Sequence, residues 1–269
     1  MAKKKVLYLS QEIYPYVDGA IGEVSQILPL GIQERGNDIR TFMPNYGTIN
    51  ERRNQLHEVI RLSGVNLTVN DKIHQLVVKV ASLQPQRMQV YFIEDEDLFH
   101  SRKGIFRNES GELYTDNAER AVFFVRGVFE TIKKLRWIPD IIHCQGWFTG
   151  LAPFYLKTLF KDDPALSQAK IVFSAYDTTP DYPFEAQLTE VLAYDGIKDK
   201  LLTDEPLDRE SLIDLILKYI DGIVISTKEI SDDLVDRIHH TGIKYLDYHE
   251  PDQLVDAVAG FYSELLGEA

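Results

Sequence analysis

The residues best equipped for chemistry sit where short apolar runs end. Val6–Leu9 gives way to Gln11–Val24, where the Gly19-Ala20-Ile21-Gly22 turn has the small residues a backbone needs to approach a phosphate closely. That signal is weak alone, and Asp18 sets an anion beside it. Asp116 and Asn117 open a long helical pattern, so they read either as an N-cap pair or as ligand contacts. His143 and Cys144 are neighbours on a strand-like run. Their side chains point to opposite faces and cannot form a nucleophile–base pair. His143 is then either a satisfied core histidine or a contact residue. Gln145 can hydrogen bond but cannot carry a proton at neutral pH, and Trp147, after Gly146, can stack on a ring or close the core. His239 and His240 diverge by about 100° on a helix, and Asp236 with His240 is a lone pair one turn apart, so no metal site is predicted. No Walker loop, Gly-x-Ser-x-Gly or Cys-x-x-Cys occurs, and no residue is assigned as catalytic.

Composition narrows the classes. Forty-two acidic against 29 basic residues give a net charge of −13, which repels nucleic acid and anionic membranes. A single cysteine, Cys144, excludes an internal disulfide framework and suits a reducing compartment. No apolar run approaches the length of a membrane span, and no secretory leader is apparent. A cytoplasmic, soluble protein is the expectation.

The elements that must position these residues follow from periodicity. Val6–Leu9 reads as a buried parallel strand, and Gly22–Arg35 as a helix with Pro29 inside it, expected to kink or to have a bent start, and Gly36 at its C′ position. Ile39–Met43 is the next strand, and this β-α-β start predicts a doubly wound sheet. Val59–Leu62, Asn66–Val69, Gln75–Ser82 and Met88–Ile93 read as short strands in hairpins, followed by a polar loop with a short helix. Asp116–Arg136 carries the clearest helical stripe, with Asp116 and Glu119 spaced as a capping box. Strands at Ile141–Cys144, Ile171–Ala175 and Gly222–Ser226 alternate with helices at Gly150–Phe160, Glu185–Tyr194, Asp208–Tyr219 and Lys228–His240. A short run at Ile243–Leu246 and a last amphipathic helix, Pro251–Leu266, close the pattern. With no repeats and no linker, residues 1–269 are expected to form one α/β domain around a single Rossmann-like, mostly parallel sheet.

Several stretches, in order, resemble the glycogen and starch synthases. Lys5–Val24 (KVLYLSQEIYPYVDGAIGEV) matches their opening strand, loop and helix, where the family loop reads Lys-Thr-Gly-Gly-Leu-Gly-Asp-Val. Leu30–Tyr46, Tyr114–Arg126 (YTDNAERAVFFVR), Pro139–Lys157 (PDIIHCQGWFTGLAPFYLK) and Ile171–Asp177 (IVFSAYD) resemble later blocks, and Asp221–Ile230 is a further candidate. The resemblance implies the front half of a GT-B glycosyltransferase, the half that supports the glucan. The donor-holding rear domain has no counterpart in these residues, and residues 247–269 would correspond to the family's returning helix.

Through the resemblance, Asp18, Gly19 and Gly22 fall at the family's nucleotide-sugar loop. Asp116, Asn117, Arg120, His143, Gln145, Trp147, Tyr176 and Asp177 fall at substrate-contacting positions. Tyr14, Tyr16 and Tyr46 could line a carbohydrate groove. Three cleft positions depart from the pattern: Asp18 stands for the lysine, Gln145 for a histidine with Gly146 for the aspartate after it, and Tyr176 for a second histidine. Losing one cation from a diphosphate site costs roughly 2–4 kcal/mol of transition-state stabilisation. The expectation is a glucan-binding or regulatory protein with little transferase activity alone, working as a homo-oligomer or with a full synthase. It needs no cofactor, and ADP-glucose or a similar nucleotide sugar is the donor candidate. The alternatives are a transferase subunit whose donor half comes from another chain, and a non-catalytic nucleotide or small-molecule module. All four groups of site residues (18–22, 116–117, 145–147 and 176–177) are expected on one rim, at the strands' C-terminal ends.

Overall fold

The computed structural model describes residues 3–184, 188–203 and 205–268. In chain order the elements are β1 (Lys5–Ser10), α1 (Ala20–Glu34), β2 (Asp38–Pro44), α2 (Glu51–Asn54), β3 (His57–Glu58), β4 (Val65–Val69), β5 (Lys72–Leu83), β6 (Met88–Glu94), α3 (Asn117–Leu135) and β7 (Ile141–Gln145). They continue with α4 (Leu151–Lys157), β8 (Lys170–Ala175), α5 (Leu188–Tyr194), α6 (Arg209–Tyr219), β9 (Gly222–Ile225), α7 (Asp232–Thr241), β10 (Lys244–Leu246) and α8 (Pro251–Leu265). A π-helical turn covers Glu96–His100 and a 3₁₀ turn covers Trp147–Thr149.

Internal contacts divide the chain into two compact units. The first comprises Met1–Thr41, Ile138–Thr179 and Ile213–Ala269. Its strands run in the order β10-β9-β8-β7-β1-β2, and β10/β9, β9/β8, β8/β7 and β7/β1 are each parallel. β7 and β9 are buried at every position, and β1 and β8 at all but the first. Strands buried on both sides need cover on both faces, which is why they read as continuous apolar runs.

On one face α8 packs beside α1. Gly31 and Gly222 are the close-approach points: a Cβ at Gly31 would lie 2.5 Å from Val255 Cγ1, and one at Gly222 2.7 Å from Phe261 Cζ. The helix is pinned from below. Tyr262 bonds through its hydroxyl to Tyr8 (3.0 Å) and to His143 Nδ1 (2.5 Å), and Lys4 Nζ reaches Glu268 at 2.7 Å.

The second unit comprises Phe42–Trp137 and Pro180–Leu212. Here β5 pairs antiparallel with β6, β3 and β4. Its alternation of buried and exposed residues is that of a half-buried hairpin strand. α3 lies against this layer with Gly127 at the contact, where a Cβ would stand 2.9 Å from Ile93 and 3.1 Å from Leu76.

Four local expectations need correction. Val59–Leu62 is a turn, not a strand: Leu62 N–H and Ser63 N–H both close on the Val59 carbonyl, and β3 stops at Glu58. The Asp116 side chain makes no capping bond. Its carboxylate is drawn to Arg102 (2.5 Å), while Glu119 accepts from Asn70, so the capping box does not form. α4 ends at Lys157, where Thr158 leaves helical geometry and its hydroxyl bonds back to the Phe154 carbonyl. α7 starts at Asp232 because Ser231 caps it, accepting from Leu234 N–H. α1 is assigned as one continuous helix through Pro29. Residues 185–187 of the predicted Glu185–Tyr194 helix lie outside the described residues.

Candidate functional site

Strand register assembles the rim in the first unit. Ser10, Gln145 and Ser174 are direct partners across β1, β7 and β8, so the loops leaving these strands start side by side. Open α/β sheets bind ligands at this carboxyl edge. Gln11 ties the loops together. Its N–H donates to the Gln145 carbonyl (3.1 Å), its Oε1 accepts from Phe148 N–H (3.2 Å), and its Nε2 donates to Glu12 Oε1 (3.0 Å). Gly146 is required beneath it: its φ is +85°, and an added Cβ would overlap the Gln11 side chain, 2.6 Å from Cγ. An aspartate at this position could not pack against Gln11 in this way.

Two polar atoms at this edge are buried without partners. Gln145 accepts from Ser10 Oγ (2.7 Å), which leaves its Nε2 unbonded in a fully buried side chain. Tyr176 is 6% exposed; Ser174 and Ser226 are its polar neighbours, yet its hydroxyl makes no hydrogen bond of good geometry. Burial pushes the Tyr176 phenol up; the Ser226 and Ser174 hydroxyls oppose this, and the nearby Glu12 carboxylate adds to it. Burial also raises the Glu12 carboxyl, with the Gln11 amide opposing. Trp147, 4% exposed, meets Phe148 edge-on at 5.6 Å and belongs to the packing under the loop.

The loop into α1 is built for close approach but carries the wrong charge for a diphosphate. Gly22 O accepts from Tyr14 N–H (3.0 Å), and a Cβ on Gly22 would sit 2.6 Å from the Val17 carbonyl. A Cβ on Gly19 would lie 3.0 Å from Glu12 Oε2. From Gln11 to Val24 there is no lysine or arginine, while Glu12, Asp18 and Glu23 bring three carboxylates. Asp18 and Asp177 are exposed, as is Tyr14. The first unit thus brings Asp18–Gly22, Gln145–Trp147 and Tyr176–Asp177 to one edge.

His143, like Trp147, is taken up by the fold. Its side chain is fully buried, Nδ1 on the Tyr262 hydroxyl and Nε2 on Ser174 Oγ (2.8 Å), with Tyr8 stacked at 5.5 Å. Desolvation holds its pKa down to about 3, so the ring is neutral at physiological pH. It anchors α8 to the sheet and does not face the rim.

Asp116, Asn117 and Arg120 belong to the second unit. Arg120 is fully buried and donates to the carbonyls of Leu98 (2.7 Å) and Ile105 (2.7 Å) and to Asn117 Oδ1 (2.6 Å), while Asn117 Nδ2 donates to the Phe106 carbonyl (3.1 Å). The guanidinium also lies over Phe99 and Tyr114. These two residues clamp the 98–114 loop to the start of α3, which occupies their polar atoms. Asp116 keeps one buried carboxylate oxygen, Oδ1, unpartnered.

In the same unit, ligand atoms of Glu51, Glu94 and His100 lie within 4.8 Å of one another. Lys79 Nζ already supplies a cation there, 2.6 Å from Glu51 and 2.7 Å from Glu94. Gln11 and Glu12 were not among the predicted site residues. Their signal was positional: they directly follow the Ser10 end of β1.

Comparison with known proteins bears on the family and the fold. Residues 5–224 match the family model described as starch synthase catalytic domain. The glycogen synthase of Chlorobium limicola is 39% identical over 175 residues, 64% of this chain and 36% of that protein. That of Chlorobaculum parvum is 32% identical over 235 residues, 85% of this chain and 48% of its own. The chain therefore spans about half or less of the length of these relatives. The catalytic domain of starch synthase IV from Arabidopsis thaliana, solved bound to ADP and acarbose, superposes with a TM-score of 0.72 at 16% identity, over 92% of this chain and 51% of that one; this likeness bears on the fold. Matched over most of its length, and with an α/β fold of the same kind, the chain belongs to the glycogen and starch synthase family of glycosyltransferases.

Proposed function

We propose that these 269 residues act as the glucan-facing half of a glucosyltransferase, binding α-glucan at the β1–β7–β8 edge with little transfer activity of their own. The observation that carries this reading is the unpaired pair at the edge, Gln145 Nε2 and the Tyr176 hydroxyl. A buried polar group without a partner costs about 1–3 kcal/mol. A sugar hydroxyl, which both donates and accepts, is the kind of group that would satisfy either an amide N–H or a phenol. Exposed Tyr14 supplies an aromatic face at the same edge. The three carboxylates and absent cations of the 11–24 loop argue against tight diphosphate binding there.

A second reading rests on length. The relatives are about twice as long, so a donor-binding half could act from another chain, a dimer mate or a full synthase. Calorimetric titration with malto-oligosaccharides and, separately, with ADP-glucose discriminates. Glucan binding alone supports the first reading, and ADP-glucose binding supports the second. Heat from neither contradicts both and leaves a module that kept the fold and lost the sugar chemistry.

A further inference from the structure

At the opposite end of the first unit's sheet, where β1 and β2 begin, lies a cavity of about 650 Å³ between the end of α1 and the outer turns of α8. That volume is in the range of small-molecule sites. Its charge runs against the rest of the protein. Lys3, Lys4 and Arg35 line it with one carboxylate, Asp256, and with Glu268 on Lys4 the local balance is three cations to two carboxylates in a chain of net charge −13. Lys4 is itself buried, its side chain 8% exposed, with Nζ on Glu268 (2.7 Å). Arg35 spans the mouth, Nε and Nη2 on Asp256 (3.1 and 2.5 Å). Between the charged groups lie Ala259 and Gly260 of α8, the first half-buried and the second exposed.

The glycines of this cavity differ from the others packed against α8, Gly31 of α1 and Gly222 of β9. Gly31 and Gly222 are demanded by packing, whereas a Cβ at Gly260 would meet nothing within 4 Å. Gly260 lies inside α8, where glycine is the least favourable residue after proline, and its φ is not in the left-handed region. Neither contact nor backbone requires it. Its effect is to keep the cavity open, together with Gly36, whose φ of +86° does require glycine.

We propose that this cavity is a second ligand site, for a small organic anion: a phosphate monoester or carboxylate held by Lys3, Lys4 and Arg35, its body against Ala259 and Gly260. The site is independent of the glucan-facing edge. Phenyl phosphate, benzoate, inorganic phosphate and neutral phenol, each titrated into isotope-labelled full-length protein to about 10 mM, cover affinities down to the millimolar range. The expected result is saturable amide shifts confined to residues 3–4, 32–37 and 256–263, with one of the two aromatic anions binding tighter than both inorganic phosphate and phenol. Whichever it is identifies the head group. A Lys3→Ala/Arg35→Ala double variant should weaken that binding about tenfold or more. Gly260→Leu, which fills the space with a good helix former, should abolish it with an unchanged far-UV spectrum. Asp256→Asn should tighten it. Absence of saturation by both aromatic anions, equal binding of phenol, or shifts that persist in Gly260→Leu would overturn the proposal.

Discussion

At the scale of single residues, Tyr176 and His143 show opposite uses of burial on one sheet. Both lie where a family alignment expects contact with substrate, yet only Tyr176 has an unspent polar atom. Removing it should therefore have effects of opposite sign. Tyr176→Phe is expected to stabilise the fold by about 1 kcal/mol in urea unfolding, because an unsatisfied buried hydroxyl disappears, and to weaken malto-oligosaccharide binding. His143 makes a different prediction, through pH. Its folded-state pKa, about 3, lies below the 6.5 of an exposed histidine, so the unfolded chain binds the proton first. Its contribution is complete above pH 6.5 and is lost as pH falls toward 3, with a slope of up to about 1.4 kcal/mol per pH unit. Unfolding curves between those limits should show this slope in the wild type and lose it in His143→Gln. A slope shared by both proteins would assign the acid sensitivity elsewhere. The identity of His143 as a strand residue was legible from its neighbours. Its partner was not, because Tyr262 is 119 positions away and only the docking of α8 joins them.

At the scale of elements, legibility followed periodicity. β1, β7, β8 and β9 were readable because strands buried on both faces appear as unbroken apolar runs, and α3 and α8 because their stripes repeat at helical spacing. The reading failed where a local alternative competed. Val59–Leu62 has strand-forming residues but folds back on the Val59 carbonyl, and Asp116 has a capping residue's chemistry but pairs with Arg102. The edge of the sheet was legible as an edge, since parallel strands joined by crossover helices put their C-terminal ends on one side. The orphan atoms were not, because they depend on which hydrogen bonds Gln11 and Ser10 make. α8 is the element with the most direct test. Phe261, 4% exposed, lies against Gly222 and should cost about 3–5 kcal/mol when cut to alanine. A melting temperature unchanged by Phe261→Ala, or by deletion of residues 251–269, would mean that the helix is not docked.

At the scale of the molecule, the family is settled by the match over residues 5–224, and the activity of these residues is a separate question. Among the described residues no helix is long and apolar enough to cross a membrane. The net charge of −13 and the three carboxylates of the 11–24 loop both disfavour a bound diphosphate. Supplying one cation does not supply the positioning that a two-sided cleft provides, and positioning accounts for a large share of such catalysis. Transfer of labelled glucose from ADP-glucose to glycogen by the purified chain tests the central claim most directly, with Asp18→Lys assayed beside it. The account predicts glycogen-bound protein with turnover far below about 1 s⁻¹ in both, the low end of ordinary enzymes. Turnover at or above about 1 s⁻¹ by the wild-type chain would contradict it and make these residues a transferase in their own right.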